Sequence, residues 1–135
     1  ICADTIVVSG QKVLGKPQDI NEARQMMETL SGKEHYVITG VFLHYKDYQK
    51  VFAEKTEVLI DKLTPEEIEA YINTSEPYDK AGGYGIQGIF GKHVRAIKGD
   101  YYNVMGLPIN HLYREIKIIE SKYQVSFSHE KSLSK

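Results

Sequence analysis

His35-Tyr36-Val37-Ile38-Thr39-Gly40-Val41-Phe42-Leu43-His44-Tyr45 decides the fold of this 135-residue chain. Eleven residues rich in β-branched and aromatic side chains, closed by a Lys46-Asp47 turn, predict a long strand, and Tyr48 to Phe52 predicts its hairpin partner. Beyond it, Glu54 to Lys62 alternates charged and apolar residues around Val58 and Ile60, which predicts an exposed or edge strand. Upstream, Ile6-Val7-Val8 followed by Ser9-Gly10 predicts a short buried strand with a turn into Val13-Leu14.

Helices alternate with these strands. Asp19 with Glu22 forms a capping-box pattern, Ile20, Ala23, Met27 and Leu30 share one face, and Gly32 supplies a stop. Thr64-Pro65-Glu66-Glu67 starts a second helix that ends before Pro77, and Pro108 opens a third, in which Ile109, Leu112, Tyr113, Ile116 and Ile119 recur at helical spacing. His93 to Ile97 returns to strand character before a Lys98-Gly99-Asp100 turn. Strands interleaved with helices predict an α/β or α+β domain, a mixed twisted sheet with flanking helices, over residues 1–120, followed by a polar, mobile tail over 121–135.

Charge excludes some functions. Seventeen Lys and Arg balance eighteen Asp and Glu, so no basic excess exists to neutralise a phosphate backbone or an anionic bilayer. Neither nucleic acid nor membrane is an expected partner. No stretch reaches the roughly 18 to 20 apolar residues of a membrane span, and the lone Cys2 can form no internal disulfide, so a reducing cytoplasm is the expected compartment. The histidines, at 35, 44, 93, 111 and 129, lack zinc-ligand spacing.

Five of the eleven glycines fall between Gly82 and Gly91, which predicts unusual torsions or a close approach there. Gly83-Tyr84-Gly85-Ile86-Gln87-Gly88 matches the dinucleotide pattern Gly-x-Gly-x-x-Gly, but a helix precedes it and a strand follows, the reverse of the required context. Gly88-Ile89-Phe90-Gly91-Lys92-His93 misses the phosphate-loop spacing and its Ser or Thr. A structural turn and a functional loop both remain open for the segment, with Lys80 and Gln87 offering a cation and an amide suited to phosphate and base. Asp4, beside Thr5 on a strand, can serve as a general base, a cation ligand or a solvated cap. Lys16, on the rigid bend Gly15-Lys16-Pro17, can aim an ammonium at a phosphate or remain solvated. Asp100 reads as a turn residue.

Taken in order, Ala3-Asp4-Thr5-Ile6-Val7-Val8, Leu14-Gly15-Lys16-Pro17, Leu30-Ser31-Gly32 with Val37-Ile38-Thr39-Gly40, Glu76-Pro77-Tyr78-Asp79-Lys80-Ala81-Gly82-Gly83-Tyr84-Gly85-Ile86-Gln87-Gly88, and Gly99 to Pro108 resemble the Maf family of septum-formation proteins. The resemblance implies a Maf/ITPase-like fold with a nucleotide cleft between two lobes. It also implies a cytoplasmic nucleoside triphosphate pyrophosphatase that uses a divalent cation, Mg or Mn, with a homodimer left open. By that resemblance Asp4 matches the proton acceptor and Lys16 a lysine near the triphosphate. Thr5, Lys80 and Gln87 match positions tied to substrate choice, in the version of the branch acting on dTTP and UTP. A non-catalytic nucleotide-binding or cell-division regulatory protein is the alternative. Family members also begin with a strand and a Ser-x-Ser-Pro-Arg-Arg loop that this sequence does not contain, so the expectation is a fragment of an active enzyme or a partial gene product.

Overall fold

A computed structural model of the chain describes residues 1–127. The chain runs β1 (Cys2–Ser9), β2 (Lys12–Leu14), α1 (Ile20–Leu30), β3 (Glu34–Tyr45), β4 (Tyr48–Ile60), α2 (Pro65–Ile72), β5 (Val94–Lys98), α3 (Tyr101–Val104) and α4 (Ile109–Tyr123). Three 3-10 turns, Glu76–Asp79, Ala81–Gly83 and Ile89–His93, fill the stretch between α2 and β5. The strands form one sheet in the order β2-β1-β3-β4-β5.

Both hairpins are where the turn residues put them. Gly10 takes a left-handed φ of 61° between β1 and β2, and Lys46 one of 55° between β3 and β4. Caps also follow the sequence. The Thr64 hydroxyl accepts from Glu67 N while the Glu67 carboxylate accepts from Thr64 N, a reciprocal capping box. Asp19 caps Glu22 N, but the Glu22 carboxylate reaches back to Gln18 N instead of the cap residue.

The sheet departs from the sequence reading in two ways. All four described pairings are antiparallel, where interleaved helices had suggested a mixed sheet, because each neighbour is reached by a hairpin or a returning connection. Glu54 to Lys62 is no separate edge strand: β4 runs unbroken to Ile60, with β3 on one side and β5 pairing Glu57 to Ile60 on the other. Lys55 and Glu57 lie on the face of the sheet away from the core, interleaved with buried Thr56 and Val58, and that alternation imitates an edge, while Glu54 lies on the core face against His111 of α4. Four-residue α3 is too short to show a helical period in sequence, and α4 continues three residues past 120. Most of the expected tail, with His129, lies outside the described residues.

One face of the sheet carries the core. His35, Val37, Thr39, Val41 and Leu43 of β3 and Phe52, Thr56, Val58 and Ile60 of β4 all turn to it. Val7, Val37, Val58 and Ile60 pack with Met27 and Leu30 of α1, Ile68 and Ile72 of α2, and Phe90. Val41, Leu43 and Phe52 pack with Leu112 and Ile119 of α4 in a second cluster. Each large side chain buried this way stabilises the fold by about 1.5–3 kcal/mol. Between the clusters, on the same face, lies a polar seam of Thr39, Thr56 and the fully buried Asn103. The Asn103 amide donates to Val37 O, Glu54 O and Thr56 Oγ1 at 3.0–3.1 Å. That seam divides the molecule into two lobes along one sheet.

Candidate functional site

A cleft of about 500 Å³ opens at the seam, a size suited to a nucleotide-scale ligand. Its walls hold Asp4 and Thr5 of β1, Lys16 after β2, Glu76, Lys80 and Gln87 of the glycine-rich stretch, and Met105 and Gly106 after α3. All five residues singled out in the sequence thus meet in one place, although they come from three segments far apart in the chain.

Each is held differently. Asp4 is exposed and pairs with Gly40, so strand alternation turns it to the side opposite Val7. β2 pairs only with Val7 to Ser9, and beside Asp4 the β1 edge carries no ladder partner among the described residues. Asp4 therefore meets the cleft at its rim. The Thr5 hydroxyl is 2.9 Å from the Thr39 hydroxyl and donates to Gly106 O at 3.3 Å, which ties β1 to the wall after α3. Lys16 sits on a bend that Gly82 N clamps through Gly15 O at 3.0 Å.

The glycine stretch shows why the sequence needed glycine. Gly82 takes φ 75° against Val7, and an added Cβ would come 2.9 Å from a Val7 methyl. At Gly88 an added Cβ would fall 2.0 Å from the Glu76 carboxylate. Lys80 donates to Asp79 Oδ1 at 2.9 Å and to Glu76 O at 3.4 Å. The Lys80 hydrogen bond and charge hold the exposed Asp79 carboxyl below its usual range. An exposed pair of this kind is worth about 1 kcal/mol or less, so Lys80 can exchange Asp79 for a phosphate.

Sequence reasoning missed three contributors. Glu76 accepts from Tyr71 Oη and from the Ile89 and Phe90 N–H groups; burial opposes its ionisation, yet these bonds and Lys80 keep its carboxyl below the usual range. Tyr84, a buried cleft residue, shares a hydrogen bond with buried His35; desolvation pushes the His35 imidazole down to about 4 and the Tyr84 phenol up. Val104 to Gly106, inside the Gly99–Pro108 segment to which the sequence assigned no site role, form a wall of the cleft. The spacing of Gly85 and Gly88 was the available signal, since the Lys80 stem and the Glu76 carboxylate occupy the space a Cβ would take. Asp100 caps Tyr102 N, as a turn residue should.

A family model described as Maf-like protein matches residues 1–119. The chain belongs to the Maf-like family. This Maf-like chain is 54% identical over 119 residues to a dTTP/UTP pyrophosphatase of Bacillus cytotoxicus, a match covering 88% of the chain and 62% of that protein. It is 54% identical over 115 residues to a dTTP/UTP pyrophosphatase of Bacillus cereus strain AH187, covering 85% and 60%. The Maf-like chain therefore spans about three fifths of the length of these curated relatives. No helix among the described residues is long and apolar enough to cross a membrane.

Proposed function

We propose that the chain carries the cleft of a nucleoside triphosphate pyrophosphatase that converts dTTP and UTP to the nucleoside monophosphate and pyrophosphate. One observation carries the reading: Asp4, Thr5, Lys16, Lys80 and Gln87 line a single cleft. The names of the relatives support the choice of substrate.

Asp4 acts as general base, taking a proton from water as its oxygen attacks the α phosphorus in line. The bond from that phosphorus to the oxygen bridging to the β phosphate breaks, and pyrophosphate leaves with the electron pair. Lys16 and Lys80 supply positive charge to the phosphates, the main need of such a displacement. Gln87, exposed at the cleft, offers an amide donor and acceptor to the edge of uracil or thymine.

A divalent cation, Mg or Mn, fits this donor set in one way. Among the described residues no group of three or more His, Cys, Asp or Glu can cage a metal. Magnesium in phosphate chemistry uses one or two carboxylates with substrate oxygens completing its shell, so Asp4 together with a triphosphate would hold it. When bound it supplies neutralisation of phosphate charge. The substrates are cytoplasmic metabolites, and we infer that compartment for the protein.

The test is to incubate the purified protein with dTTP, UTP, CTP and GTP and either Mg²⁺ or Mn²⁺, and to measure pyrophosphate. Release from dTTP and UTP ahead of the others is expected. Tight calorimetric binding of a non-hydrolysable UTP analogue with no release under either metal would instead favour a nucleotide-binding regulator.

A further inference from the structure

We propose that Glu76 is a positioning residue that sets pyrimidine preference by fixing the backbone that carries Gln87, an inference that rests on the pyrophosphatase reading above. Gln87 is exposed and makes no side-chain hydrogen bond within the described residues, so its amide is placed by its backbone alone. That backbone ends on Glu76. One carboxylate oxygen accepts from Ile89 N at 2.8 Å; the other accepts from Phe90 N at 3.3 Å and from Tyr71 Oη at 2.6 Å. Only Gly88 separates Gln87 from the first of these bonds, and Gly88 itself has no room for a Cβ beside the carboxylate.

The anchor is firm on its far side. Tyr71 is buried on α2, and its ring lies 4.9 Å from that of Phe90, which is fully buried. The carboxylate thus joins the Gln87 segment to the core through three donors, two of them main-chain. Hydrogen bonds to an ionised acceptor are about twice as strong as neutral ones. An amide in the same place has one acceptor oxygen and would turn an N–H donor towards at least one donor already there. Glutamine is therefore a near-isosteric probe of the anchor. Glu76 lines the cleft, but its carboxylate is committed to these donors and not to a base.

The test pairs Glu76→Gln with Gly88→Ala, which pushes the carboxylate away without changing it, and with Tyr71→Phe, which removes one donor and leaves both main-chain bonds. For each, the ratio of kcat/KM for UTP over GTP is measured with saturating Mg²⁺, alongside hydrogen exchange of the Ile89 and Phe90 amides. Glu76→Gln and Gly88→Ala should lower the ratio about tenfold, with the rise in the KM of UTP exceeding the fall in kcat, and should speed exchange at both amides. Tyr71→Phe should keep most of the preference. Faster exchange with an unchanged ratio would reduce Glu76 to a structural brace, and unchanged exchange would remove the anchor itself; either result overturns the proposal. Should Glu76→Gln fail to fold, Gly88→Ala and Tyr71→Phe decide the same question. A wild-type protein with no pyrimidine preference would instead sink the functional reading, and the exchange measurement would still report on the anchor.

Discussion

The Thr5 and Thr39 hydroxyls meet at 2.9 Å across the β1–β3 ladder, and Thr5 also holds the Gly106 carbonyl. Thr5 has a single hydroxyl hydrogen, and the Gly106 carbonyl is its acceptor. In the free protein it is therefore a strut for the wall after α3. Thr5→Val keeps the shape and deletes the strut. It should cost about 1 kcal/mol of stability and raise the KM for UTP several-fold, while Thr5→Ser should retain both values. Thermal denaturation and steady-state kinetics check the pair.

Asp4 is exposed, so removing its charge leaves packing untouched. Asp4→Asn should lower kcat by about 10²-fold to 10⁴-fold with an unchanged melting temperature and undiminished calorimetric binding of a non-hydrolysable UTP analogue in the absence of divalent cation. Turnover at the wild-type rate would remove Asp4 as the base.

Lys80 separates charge from packing, because its stem lies over Gly85 while its ammonium reaches Asp79. Lys80→Met should preserve the fold and weaken triphosphate binding about tenfold, with a smaller loss for the nucleoside monophosphate. Equal losses for both nucleotides would argue that Lys80 does not meet the β and γ phosphates.

His35 is 1% exposed, and burial lowers its affinity for protons when the chain is folded to a pKa of about 4. The unfolded chain takes that proton near its ordinary value of 6.5. Between these values the unfolded state binds more protons, so stability contributed here is fully present above about 6.5 and is lost as pH falls towards 4. The loss should approach roughly 3 kcal/mol. Urea unfolding of wild type and His35→Gln at pH 7.5 and pH 4.5 checks it, and the variant should lose less stability between the two pH values.

What the sequence disclosed follows from the range of the interactions. Thr64-Pro65-Glu66-Glu67 announces α2 because a cap is satisfied within four residues, and Lys46-Asp47 announces a hairpin for the same reason. β4 was cut in two because Ala53-Glu54-Lys55 lacks the β-branched and aromatic side chains that mark a strand locally; the partner of Glu54, His111 at 2.8 Å, lies 57 residues away. The Thr5-Thr39-Asn103 seam is likewise invisible locally, since threonines in strands are ordinary and Asn103 resembles a loop residue. Lys16 and Lys80 could be assigned to one cleft only through the family resemblance, as nothing near either residue says that Gly82 docks on Gly15.

The sheet that carries both lobes also limits how the cleft can move. β3 and β4 pair at every position from Glu34 to Tyr45 and pass without a break beneath both lobes. Hinge bending between the lobes would have to shear that ladder, in the stiffest part of the molecule. Under the proposed reaction, admission of substrate and escape of pyrophosphate would therefore come from the rims, the 76–88 stretch on one side and the 104–106 turn on the other. Turnover would then be gated by loops of a few residues over a rigid platform, and cross-linking the two lobes at the sheet should leave it intact.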